Sequence, residues 1–121
     1  MKVGVVMPTY NQARYLPEAL ESVLTQDYDG LCVVNDGSTD ETSDYLAGHD
    51  GDFWVIEPPA NEGCAFAINR GVESMSRHVE ALTWVSSDNI MSPDWLSTLS
   101  AALVPGVGAV FSAFTMDTET G

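Results

Sequence analysis

Short apolar runs and segments of helical period alternate along this chain of 121 residues. The runs fall at about residues 3–8, 31–35, 53–57, 82–86 and 107–114; they are rich in β-branched residues and bounded by turn formers, so they read as buried strands. Between them, Leu16, Ala19, Leu20, Val23 and Leu24 mark a first helix and residues 40–47 a second. Ala65, Ile68, Val72 and Met75 mark a third, and Trp95, Leu96, Leu99 and Leu103 a fourth. Strands alternating with helices predict right-handed βαβ units, hence a three-layer α/β/α fold with helices on both faces of a mainly parallel, Rossmann-like sheet.

Turn chemistry supports these boundaries. Ser38 with Glu41 has the spacing of a capping box, Asn61 can cap the third helix, and Ser92-Pro93-Asp94 supplies a cap, a first-turn proline and a carboxylate near the positive helix end. Pro58-Pro59 should stop the third strand and Pro105-Gly106 the fourth helix. Gly71, inside the third helix, predicts close packing or a bend there. No repeat, linker or low-complexity tract interrupts the pattern, and 121 residues make a single domain.

Polar clusters sit where strands end. Pro8-Thr9-Tyr10-Asn11 follows the first run, Asn35-Asp36-Gly37-Ser38 the second, and Ser86-Ser87-Asp88-Asn89 the fourth. In an open α/β sheet, ligands bind beyond the carboxyl ends of the strands, so these clusters would converge on one ligand. Asp36 can accept from a base N–H or a ribose hydroxyl; equally, Asp36, Gly37 and Ser38 can simply make the turn. Thr9, Tyr10 and Asn11 offer hydroxyls and a stacking face, or a cap and packing. Asp88 can hold Mg²⁺ or Mn²⁺ together with substrate phosphates, since such ions take few protein carboxylates, or it can order its own turn. Asn61-Glu62-Gly63 opens the third helix, where Gly63 would let a ligand approach the free N–H groups, which favour anions; Arg70, one of very few cations, can reach a phosphate or, as the favoured reading, stay solvated.

Charge narrows the partners. Eighteen acidic residues against Lys2, Arg14, Arg70 and Arg77 leave a net charge of −14, which speaks against nucleic acid and suggests that an anionic ligand would need a metal cation beside it. Cys32 and Cys64 lack neighbours at metal-ligand spacing and read as free thiols, Cys32 in the core. His49 and His78 stand alone. No membrane segment or signal peptide is visible, so a cytoplasmic location is expected.

Taken in order, these segments resemble family 2 glycosyltransferases of the GT-A fold. Val5-Val6-Met7-Pro8-Thr9-Tyr10-Asn11 is similar to the family's opening strand and loop, and Leu20-Glu21-Ser22-Val23-Leu24-Thr25-Gln26 to its first helix. Asn35-Asp36-Gly37-Ser38 resembles its Asp-Asp-Gly-Ser motif, and Asn61-Glu62-Gly63 with Ala67-Ile68-Asn69-Arg70-Gly71 its glycine and asparagine helix. Ser87-Asp88-Asn89-Ile90 with Pro93-Asp94-Trp95-Leu96 resembles its metal-binding Asp-x-Asp region. The resemblance implies an inverting transfer of sugar from a nucleoside-diphosphate sugar, a UDP-sugar first, to an acceptor hydroxyl. Thr9, Tyr10 and Asp36 would hold the nucleoside, and Asp88 would hold Mn²⁺ or Mg²⁺ on the diphosphate.

Two positions depart from the pattern: Asn35 stands for the first Asp of one motif and Ser86 for the first Asp of the other. The family's acceptor-activating carboxylate lies downstream of these motifs, so the catalytic base is unknown, the acceptor is unknown, and the chain is expected to lack the C-terminal acceptor portion. Asp117 and Glu119 carry no assignable role. A chain of this kind leaves sheet edge and apolar surface open, which a homodimer could cover. The alternative is a truncated or degenerate module that binds a nucleotide sugar without turnover. A receiver-like signalling domain would call for a lysine after the last strand, whereas the only lysine is Lys2.

Overall fold

The structure is a computed structural model that describes residues 1–110 of the 121. Four strands alternate with four helices: β1 (Val3–Thr9), α1 (Leu16–Leu24), β2 (Gly30–Asn35), α2 (Thr42–Ala47), β3 (Trp54–Ile56), α3 (Cys64–Met75), β4 (Ala81–Trp84) and α4 (Trp95–Ala102). The strands form one parallel sheet in the order β3-β2-β1-β4.

Every residue of β1 and β2 is buried, which is why these strands are apolar without alternation. Val3, Val5, Met7, Leu31 and Val33 face one side, where Leu16, Ala19, Leu20 and Val23 of α1, Leu46 of α2 and Leu96 of α4 close the core. Val6, Cys32 and Val34 face the other side under Ala67 and Met75 of α3. The expected three layers are therefore present. The connection through α3 carries the chain from one sheet edge, β3, to the other, β4, across β1 and β2.

Gly71 is the close-packing point of that crossing. A Cβ there would come within 2.4 Å of Val6 Cγ1, so α3 lies nearer the sheet than any side chain at this position would allow. The outer strand β4 is covered less well. Leu82 and Trp84 alternate toward the α3 side and remain exposed among the described residues, Trp84 by 52%. No helix among the described residues is long and apolar enough to cross a membrane.

Several boundary expectations need correction. The Ser38–Glu41 capping box does not form: α2 starts at Thr42, too far on, and Ser38 Oγ instead accepts the Asn11 N–H. Asn61 does not cap α3, because its side chain is drawn to Asp36; Gly63, at φ 99°, is the residue that turns into the helix. Asp94 sits at the cap position of α4 without a side-chain cap bond, while Ser92 Oγ donates to Asp94 Oδ1. The expected fifth strand lies mostly outside the described residues, and residues 107–110 form no strand. Asp117 and Glu119 also lie outside them.

Candidate functional site

The sheet changes direction of growth at β1, whose neighbours β2 and β4 lie on opposite sides. In such sheets the crevice at the carboxyl ends beside the first strand is the ligand site. Three loops meet the solvent there, after Thr9, after Asn35 and after Trp84.

The first two loops are stitched together. Asn11 takes φ 50°, tolerable for Asn, and its Oδ1 accepts the Thr39 and Asp40 N–H groups at 2.7 and 3.3 Å. Its own N–H donates to Ser38 Oγ at 3.0 Å, and the Ala13 N–H donates to Asp40 Oδ2 at 3.1 Å. Desolvation pushes Asp40 up, but hydrogen bonds from Thr42 and from the Ala13 N–H outweigh it and hold this carboxyl below the usual range. Asn11 and Ser38 are thus engaged within the protein, whereas Tyr10, next to Asn11 in the chain, is 46% exposed.

Asp36 faces inward. Only 3% exposed, it accepts the Glu62 N–H on Oδ1 and the Gly63 N–H on Oδ2, both at 2.9 Å, and Asn61 Nδ2 at 3.2 Å. This carboxylate fastens residues 61–63 to the end of β2. Gly37, at φ 76°, makes room for that approach, since a Cβ there would lie 2.5 Å from the Asn61 nitrogen. The space around Gly63 is open. Arg70 pairs bidentately with Glu62, and the pair lowers the Glu62 carboxyl and raises the guanidinium.

Sequence reasoning misses Glu57 and the bonds that tie Asn35 to its neighbours. Asn35, where the family pattern has an Asp, donates both amide hydrogens, to Ser43 Oγ at 2.8 Å and to Glu57 Oε1 at 3.0 Å. An Asp in its place would set like charge against Glu57. Glu57 follows β3 directly, and only the three-dimensional register, which runs Val34 beside Ile56, brings it to Asn35. Thr9 pairs with Asn35 across β1 and β2, and Thr9 Oγ1 and Asn35 Oδ1 are buried without a partner among the described residues. Pro8, one position back, is buried inside the strand.

The third loop carries Asp88. The Val85 N–H still bonds Val6 O, and the Asn89 N–H closes a turn onto Ser86 O. Ser87 is buried and Asp88 exposed. Because Val6 pairs with Trp84, the loop after β4 leaves the sheet beside the loop after β1. Among the described residues no three His, Cys, Asp or Glu side chains gather as a cage for a metal ion. One exposed carboxylate does fit a Mg²⁺ or Mn²⁺ ion that takes its remaining ligands from substrate phosphates and water.

Known proteins share this arrangement. The chain is 36% identical over 94 residues to an uncharacterized glycosyltransferase of Rickettsia typhi, covering 76% of this chain and 29% of that relative. To glycosyltransferase GlyA of Streptococcus pneumoniae it is 35% identical over 108 residues, 85% of this chain and 15% of the relative. The chain therefore spans less than a third of either relative. Among solved structures, S. aureus TarS 1-349 in complex with UDP superposes with a TM-score of 0.71 at 25% identity, over 96% of this chain and 40% of that one. The mannosyltransferase PcManGT of Pyrobaculum calidifontis, in complex with GDP-Man and Mn²⁺, gives 0.72 at 27% identity, over 88% of this chain and 34% of that one. The family model for glycosyl transferase family 2 matches residues 4–118, and the chain belongs to that family.

Proposed function

We propose that this chain is the donor-binding portion of an inverting glycosyltransferase that takes a nucleoside-diphosphate sugar, a UDP-sugar first, and serves an acceptor hydroxyl. The observation that carries the reading is the placement of exposed Tyr10 and exposed Asp88 on neighbouring loops at the switch point of the sheet. Tyr10 gives a base or ribose an aromatic face, with Thr9 below it. Asp36 and Asn61 build the wall behind, and open Gly63 leaves room for a diphosphate near the start of α3. Asp88 would hold Mn²⁺ or Mg²⁺, which when bound stabilises negative charge on the departing diphosphate. With a net charge of −14, the chain has little else to offset that anion. The acceptor pocket and the base that removes the acceptor proton are assigned to residues beyond this portion, in keeping with the small share of each relative that the chain spans. A cytoplasmic supply of nucleotide sugar suits this reading.

Calorimetric titration with UDP, GDP and dTDP, with and without Mn²⁺, tests it. The expected outcome is binding of one nucleotide that strengthens with metal and loses that dependence in Asp88→Ala. Absence of nucleotide binding by the folded chain in all of these conditions would overturn the assignment. A binding module without turnover is the second reading, favoured by the lack of any cluster of three His, Cys, Asp or Glu side chains among the described residues. It is distinguished by tight nucleotide binding with neither transfer nor donor hydrolysis.

A further inference from the structure

We infer that Gln26, assisted by Ser22, is a positioning residue for the Asp88 loop and sets how tightly Asp88 holds a divalent cation. The inference rests on the donor-site reading above. Asp88 lies between two anchors. On one side the Val85 N–H is tied to β1 through Val6 O. On the other, the Met91 N–H donates to Ser22 Oγ at 2.9 Å, Gln26 Nε2 donates to Ser92 O at 2.7 Å, and the Leu96 N–H donates to Gln26 Oε1 at 3.0 Å.

Gln26 is only 7% exposed, and its amide is used in full, with the second Nε2 hydrogen going to Ser22 O at 3.0 Å. Turning the amide over would set NH₂ against the Leu96 N–H and the carbonyl against two carbonyls, so a single orientation satisfies all partners. Gln26 lies past the end of α1, and its bonds to Ser92 and Leu96 reach 66 and 70 positions along the chain. Closing α1 would require neither. Their effect is to hold the far side of the Asp88 loop and the first turn of α4 against α1. A site with one protein carboxylate depends on where that carboxylate stands before metal arrives, and the partners that orient a ligand commonly control affinity by about ten- to a hundredfold.

The test compares Gln26→Leu and Ser22→Ala with the unaltered chain, titrating Mn²⁺ by calorimetry at saturating UDP and, separately, UDP without metal. The expected result is an apparent Mn²⁺ affinity lower by about tenfold with metal-free UDP affinity unchanged. Unchanged Mn²⁺ affinity in a folded variant, or an equal fall in both affinities, would overturn the inference. Should Gln26→Leu fail to fold, Ser22→Ala and amide hydrogen exchange on the unaltered chain decide. The Met91 and Leu96 amides are expected to be protected, and exchange of both at the rate of an open loop would also overturn it. If the unaltered chain binds no Mn²⁺ with UDP, or Asp88→Ala changes nothing, the donor-site reading fails and takes this inference with it.

Discussion

Gly71 shows how much one missing side chain can decide. Its Cα hydrogen occupies space that a methyl group would have to share with Val6, a buried residue of the central strand. Gly71→Ala is expected to destabilise the fold by about 1–3 kcal/mol through overpacking, despite the better helix propensity of Ala, and urea denaturation would measure it. That Gly71 marks either close packing or a bend is legible in the sequence, because a glycine inside an apolar helical period lacks a local reason; that it is close packing, against Val6, is shown by the structure. Asp36 is legible only in part. Its place at a strand end follows from Cys32-Val33-Val34-Asn35 before it, but its partners, the Glu62 and Gly63 N–H groups, are 26 and 27 positions away and belong to a loop whose path depends on the whole crossing. Glu57 and Gln26 escape for the same reason, since each is ordinary in its own neighbourhood and acquires meaning from a distant partner.

At the scale of elements, strands and helices follow from periodicity because burial on two faces of β1 and β2 makes their runs continuous, while the face each helix presents to the core makes its period 3.6. Caps follow less well. Ser38, Asn61 and Asp94 all have capping chemistry, yet Ser38 and Asn61 bond across loops and Asp94 receives the Ser92 hydroxyl. A polar side chain at a strand end has tertiary partners competing for it, and here those partners win. The stitch between the first two loops makes this testable. Asn11→Ala removes the acceptor of two N–H groups and puts a non-Asn residue at φ 50°, whereas Ser38→Ala removes one acceptor. Asn11→Ala is expected to cost more stability, about 1–3 kcal/mol, with Ser38→Ala nearer 1 kcal/mol, in thermal or urea unfolding.

For the molecule as a whole, charge is the governing property. A surface carrying a net −14 repels a nucleoside diphosphate at long range, and added salt screens that repulsion. Metal-free nucleotide binding is therefore expected to strengthen as sodium chloride rises from about 10 mM to about 150 mM, opposite to the trend of a basic nucleotide site. Calorimetry at the two ionic strengths would check the sign. The order β3-β2-β1-β4 has a further consequence, for the sequence of assembly. Each parallel pair must wait for the helix between its strands, and β1 waits longest for β4, whose register begins with Val3 beside Ala81. As the chain leaves the ribosome, β1, β2 and β3 can associate under α1 and α2 while Tyr10 and Asp36 are already in place. Asp88 reaches them only when β4 docks. On the proposed donor-site reading, a nascent or partly unfolded chain would have the wall for a nucleoside without the Asp88 loop beside it, so metal-dependent recognition would require β4 to have docked.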